Sequence, residues 1–237
     1  MATDLTTLTS IPAPSQIHPG RTIEGDQCVE MWGIGWEGYR ALLKIQGKKS
    51  RPQIIYLDGD AYLVSPSYNH EWLKKRLGQF VIEVAVGLKI PFMMAGETTL
   101  RRRKKRGGVQ PDESFYFANH GPIAAKKGKE NIDLRIDPPP DLSIEVVYRH
   151  DAAAVEVLRR LSVPEVWVGD EGGLRILVRQ ANGRYLESDK GLVFPFLRAA
   201  EIYEWASRPE TGSEMDWVTT VRRWAQEVLV LRVRGAD

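Results

Sequence analysis

The stretch PPPDLSIEVVYRHDAAAVEVLRRLSVPEVWVGD, Pro138 to Asp170, decides the fold. Leu142 to Val147 reads as one short strand, apolar enough to be largely buried. Asp151 to Leu161 follows as an amphipathic helix whose apolar stripe is Val155, Leu158 and Leu161. EVWVGD is a strand again, and it pairs with LRILVRQ across Gly172 and Gly173. Strand, helix and strand in succession fit an α/β or α+β domain built on a mixed central sheet.

One residue in that stretch resists the pattern. Glu145 places a carboxylate in the middle of a buried strand, and an ionised carboxylate costs several kcal/mol to bury uncompensated. Either a structural partner neutralises it, or it binds a cation or handles a proton.

Working outward, Trp36, Tyr39 and Leu43 share a helical face within Trp36 to Ile45. PQIIYLDGDAYLVSP is a hairpin, because two β-rich runs flank the turn pair Asp58-Gly59. Ser67 to Leu88 is the clearest helix, with Trp72, Leu73, Leu77, Phe80, Val81, Val84 and Leu88 at spacings of three and four. Ser67 is the expected N-cap, with Asn69 as competitor. Short runs FMMAG, TTLRRRK and ESFYFA follow, then a breaker-rich loop over 119–140. NGRYLES continues the sheet after LRILVRQ, and two helices are expected about Ala199 to Ala206 and Met215 to Leu231. The organisation expected is a poorly ordered leader over 1–30, one domain over 31–207, and a helical extension over 208–237 packed on it.

The 237 residues are 43% hydrophobic and 27% charged, enough for a sizeable core and a soluble surface. No run approaches the roughly 18 to 20 apolar residues of a membrane span, and the first residues do not read as a secretory signal. The single cysteine, Cys28, excludes an intrachain disulfide and a thiolate metal cluster within one chain, so a cytoplasmic setting is expected. Net charge is only +2, yet Arg101, Arg102, Arg103, Lys104, Lys105 and Arg106 are consecutive, and Lys126, Lys127 and Lys129 follow.

A second acid matches the first. Asp112, in GVQPDESFYFA, opens an apolar strand just after Pro111. On adjacent strands Asp112 and Glu145 would share one side of the sheet. Hard oxygen ligands gathered so suit Mg2+ or Mn2+, which take one or two carboxylates with water and phosphate oxygens. The plain alternative makes Asp112 a solvated turn residue.

VQPD at 109–112, PPDLSIEVV at 139–147 and SVPEVWVGD at 162–170 together resemble the Uma-type putative restriction endonuclease family, within the PD-(D/E)xK nuclease superfamily. The hairpin YLDGDAYLVSPSYNHE, 56–71, is similar to that family's amino-terminal signature, and the likeness spans roughly 35–205. The resemblance implies a restriction-endonuclease-like core, a mixed sheet flanked by helices. It implies that Asp112 and Glu145 hold a divalent ion with the carbonyl of Val146, and that His70 lines the same cavity. The sequence departs from the family where a lysine belongs: Val147 stands two residues after Glu145, and the alternative place on the next helix falls at Ala154. Arg159 or Arg160 is then expected to replace the lysine electrostatically, since arginine cannot act as a base at neutral pH. Glu156, one turn earlier, could simply pair with either.

The RRRKKR run is expected to form an exposed, twisted hairpin arm whose cations hold DNA phosphates without reading sequence. The expected function is a metal-dependent endonuclease hydrolysing DNA phosphodiesters. The alternative is a catalytically silent nuclease-fold protein that binds nucleic acid or a partner, with Glu145 paired to a cation such as Arg149 or Arg159. A further possibility is homodimerisation through the C-terminal helix carrying Trp217, Val221 and Trp224.

Overall fold

A computed structural model of the chain describes residues 25–49, 51–126, 132–147, 151–209 and 212–235. Along the chain come β1 (Gln27–Met31), α1 (Gly35–Gln46), β2 (Gln53–Leu57), β3 (Asp60–Ser65) and α2 (Tyr68–Leu88). Then follow β4 (Met93–Met94), β5 (Leu100–Arg102), β6 (Gly107–Val109), β7 (Glu113–Tyr116), α3 (His120–Ala124), β8 (Leu142–Val146) and α4 (Asp151–Arg160). The chain closes with β9 (Glu165–Asp170), β10 (Gly173–Arg179), β11 (Tyr185–Ser188), α5 (Ala199–Ser207) and α6 (Glu214–Trp224), which runs on through a π-helical turn, Ala225–Leu229, into α7 (Val230–Arg234).

The strands form two sheets. The mixed sheet is six-stranded, ordered β11-β10-β9-β8-β7-β4, and β8 and β9 are its parallel pair, joined by α4. The hairpin belongs to a second, antiparallel sheet ordered β1-β3-β2-β6-β5. Asp58 and Gly59 both take positive φ, 55° and 118°, as a two-residue hairpin turn requires.

These sheets stack with helices in layers. Val157, Leu158 and Leu161, from α4 and its end, lie between Ile55, Val64 and Val109 of one sheet and Val166 and Val168 of the other. The opposite face of the six-stranded sheet presents Ile144, Val146, Trp167 and Ile176 to α2, α5 and α6. Along α2, Leu77, Phe80, Val81 and Val84 are fully buried, and each such side chain contributes about 2 kcal/mol. Helix α1 covers the outer face of the smaller sheet through Tyr39 against Ile54 and Tyr56. Tyr39 leaves no space at Gly108, where an added Cβ would overlap its hydroxyl.

Two expectations need correction. β1 begins inside the stretch assigned to the leader, because Cys28 to Met31 zip onto Ala61 to Val64. The 119–140 loop contains α3, although part of it lies outside the described residues. The C-terminal aromatics pack onto the domain itself, as expected of a helical extension. Trp217 is capped by the Arg76 guanidinium at 3.8 Å, and Trp224 packs on Trp205 with centroids 4.7 Å apart. No helix of the described residues is long and apolar enough to cross a membrane.

Candidate functional site

Residues of β2, β8 and α2 converge on Asp112, which stands between β6 and β7. β7 and β8 are adjacent and antiparallel, with Glu113 opposite Ile144, so Asp112 and Glu145 lie near one another. Asp112 is buried and fixed from three sides. Its Oδ1 accepts from Gln53 Nε2 at 2.7 Å, and its Oδ2 accepts from the Val146 amide at 2.8 Å. That same Oδ2 is 3.0 Å from His70 Nε2.

His70 reaches this place because α2 starts there. Ser67 caps the helix, accepting from the His70 amide at 3.3 Å, and so sets the helix face that turns His70 inward. Its Nδ1 is 2.7 Å from Oδ2 of Asp26, whose Oδ1 in turn accepts from the Ser67 amide at 2.7 Å. Burial alone would lower the imidazole pKa, but hydrogen bonds and charge from Asp112 and Asp26 outweigh it and raise the pKa to about 9. Burial opposes ionisation of Asp112 too, yet His70, the Val146 amide and Lys74 hold its pKa below the usual carboxylate value.

One turn along α2, Lys74 is entirely buried. Its ammonium donates to Glu97, lies 3.3 Å from Glu71, and stands 3.9 Å from Asp112 Oδ1. Arg51 joins the same cluster through Glu71 and through Glu97 at 3.3 Å. Lys75, next to Lys74 in the chain, points outward to Glu113 at 2.8 Å.

Glu145 is also buried but differs from Asp112 in its partners and in the direction of its pKa shift. It is only 7% exposed, and its Oε1 has no hydrogen-bond partner. Burial first, then repulsion by Asp112, raises its pKa well above the ordinary value, with partial relief from His70 and Lys74. Two buried carboxylates with pKa values pushed apart are a common arrangement at sites that handle protons or cations.

Asp112 and Glu145 are the residues that could hold a hard divalent cation. Glu145 Oε1 is unengaged and Asp112 Oδ1 accepts one hydrogen bond, so each carboxylate retains a lone pair. Among the described residues no group of three His, Cys, Asp or Glu could hold a metal ion unaided. Such a site suits an ion that keeps water and takes substrate oxygens as its remaining ligands.

The other sequence-derived candidates lie elsewhere. Arg159 makes two 2.7 Å hydrogen bonds to Glu156 and one of 3.2 Å to the Gly183 carbonyl. Arg160 bonds Glu156 at 2.7 Å and grips Asp58 at 2.8 and 2.7 Å. Arg160 thus braces α4 against the β2–β3 and β5–β6 turns and Arg159 braces it against the β10–β11 turn, and among the described residues no contact carries either to Asp112 or Glu145. Val146 enters the site through its amide. Arg101 and Arg102 end β5, Arg103–Lys105 form a single 3-10 turn at the tip between β5 and β6, and Arg106 sits at φ 50° bound to Asp58. Lys126 pairs with Asp137 at 2.8 Å; Lys127, Lys129 and Arg149 lie outside the described residues.

Sequence reading missed Asp26, Gln53, Lys74 and Glu97. Only Lys74 carried a usable signal, since it follows His70 by four residues on one helix and so shares its face.

Residues 36–198 match the family described as Uma2, putative restriction endonuclease. No curated protein matches the chain. The crystal structure of a putative nuclease from Anabaena variabilis is similar at 15% identity and a TM-score of 0.45, over 77% of this chain and 96% of that one.

Proposed function

This chain belongs to the Uma2 family of restriction endonuclease-like proteins, and we propose on that premise that it is a metal-dependent endonuclease hydrolysing DNA phosphodiesters. Asp112 and Glu145 would hold Mg2+ or Mn2+. When bound there, such an ion supplies Lewis-acid stabilisation of the scissile phosphate and acidifies the attacking water. The observation that carries the reading is the unpartnered, buried Glu145 oxygen beside an ionised Asp112.

The chain's own residues have distinct parts. Gln53, the Val146 amide and His70 hold Asp112 in one orientation and keep it ionised. Lys74 takes the place of the lysine that neither Val147 nor Ala154 provides. Presented from α2 rather than from β8, it brings a positive charge to Asp112 and so to a phosphate bound beside it. Glu97, a quarter exposed, holds the ammonium at the solvent side of the cluster. Asp26 acts through His70 as a positioning residue.

Calorimetric titration of Mn2+ into the parent protein and into Asp112→Ala, Glu145→Gln and Lys74→Met variants tests this, with plasmid nicking as the second readout. Binding lost in both carboxylate variants, with nicking lost in all three, is the expected result. Parent protein that binds no Mn2+ and leaves plasmid intact would overturn it.

One observation favours a silent nuclease-fold binding protein instead. Lys74 is wholly enclosed by Glu97, Glu71 and Asp112, as a structural ion pair would be. That reading expects stability, and nothing else, to change in Lys74→Met.

A further inference from the structure

The basic hairpin tip has two sides with different neighbours. On one side Arg106 binds Asp58, and the Lys105 carbonyl receives Arg160 at 3.4 Å, so this side is braced against α4. The other side faces α1 and the segment from Ile132 to Arg135. There Arg101, Arg102 and Lys104 have no ion-pair partner among the described residues, and they line a cleft of about 730 Å³ with Arg40 and Arg135.

That cleft is not isolated. A second of about 520 Å³ runs along α1, and a third of about 400 Å³ is lined by Thr98, Thr99 and Gln110; Arg101 forms a wall of all three. The third cleft lies next to the site, because Thr98 follows Glu97 and Gln110 precedes Asp112 by two residues. Its floor is saturated: Gln110 bonds the Ile54 amide at 2.9 Å, and Gln46 and Thr99 each at 3.2 Å. Six cations line the largest of these three clefts, against the carboxylates of Asp133 there and of Glu37 in the adjoining one.

We propose that these joined clefts are the track along which a nucleic-acid backbone enters the site, its phosphates held by Arg101, Arg102 and Lys104 with Arg40 and Arg135 behind them. The assignment rests on the nuclease reading and adds to it the route and the contacts. Arg101 lies opposite Gly108, four residues before Asp112. At about 3.3 Å per residue this is roughly 13 Å from the site, or about four nucleotides of duplex rise. Cations strung over that length, rather than converging on one buried point, suit a polymer and not a single phosphate. With the Gln110 amide fully engaged, that side chain has no free donor with which to read a base.

The experiment measures binding of a fluorescein-labelled DNA duplex in chelator, where nothing is cut, as a function of salt. The variant Arg101→Ala/Arg102→Ala/Lys104→Ala is compared with the equally discharged Arg184→Ala/Lys190→Ala/Arg198→Ala, before and after β11 at the far sheet edge. The groove variant should bind more weakly, its log–log salt dependence shallower by about 2 to 3, since each neutralised phosphate contributes about 0.9. The far variant should match the parent. Equal loss in both variants, unchanged slope in the groove variant, or no duplex binding by the parent would each overturn the track. Nicking assays separate the two readings: a groove-dependent binder that never cuts removes the hydrolysis and keeps the track. A parent that nicks, with groove-variant binding unchanged, does the reverse.

Discussion

His70 and Asp112 are joined by a 3.0 Å contact between Nε2 and Oδ2, which commits the imidazole to carrying two protons while its Nδ1 serves Asp26. The clamp is therefore a stability device that depends on pH. The folded pKa of about 9 lies above the unfolded 6.5, so its contribution is complete below pH 6.5 and disappears as pH rises through 9. In chelated protein this amounts to roughly 3 kcal/mol. Urea midpoints of the parent should fall between pH 6.5 and 9, while His70→Gln should show a flatter profile; identical profiles would remove the charged clamp.

Glu145 carries the opposite signature for a carboxylate. Its folded pKa is raised, so the unfolded chain ionises first and stability declines as pH climbs above the ordinary value of 4.5. Glu145→Gln should therefore stabilise the metal-free protein at neutral pH by about 1 to 3 kcal/mol while abolishing Mn2+ binding. A loss of stability would mean that a structural partner had been removed.

Lys74→Met should reduce nicking at least a hundredfold, the scale on which one preorganised charge acts. It should also cost about 3 kcal/mol of stability by leaving Glu97 and Glu71 short of a cation. Adding Glu97→Gln should recover much of that stability without recovering activity. If activity returns with stability, Lys74 is structural.

Arg160→Ala should lose about 1 kcal/mol, through its contacts to Asp58 and Glu156, and nick at the parental rate. A large fall in nicking with stability intact would return the arginine to the chemistry.

Tyr39→Phe should be neutral or stabilising by about 1 kcal/mol, because the buried hydroxyl has no hydrogen-bond partner. Gly108→Ala, which forces a methyl into that ring, should cost about 2 to 3 kcal/mol. Thermal denaturation of the two variants gives both signs directly.

What was legible in the sequence was local. Asp58-Gly59 announced its turn, Ser67 its cap, and Glu145 its anomaly within a buried strand, each from neighbours a few residues away. The division into two sheets was not legible, because β2 and β6 pair across about fifty residues and no pattern marks Tyr56 as the partner of Gly108. The lysine was sought beside Glu145, where chain proximity would put it. Lys74 is 71 positions away in the chain, and only the packing of α2 on β8 brings it near. Asp26, in a stretch that reads as leader, gave no sign of its charge being needed.

The family match begins at residue 36, whereas the Asp26 carboxylate that holds His70 lies ten positions earlier. A fragment trimmed to the matched region would retain Asp112, Glu145 and Lys74 and still remove one jaw of the clamp, along with the whole of β1. For this chain the similarity boundary is a poor place to cut an expression fragment, and activity lost on such trimming would say nothing about the acids.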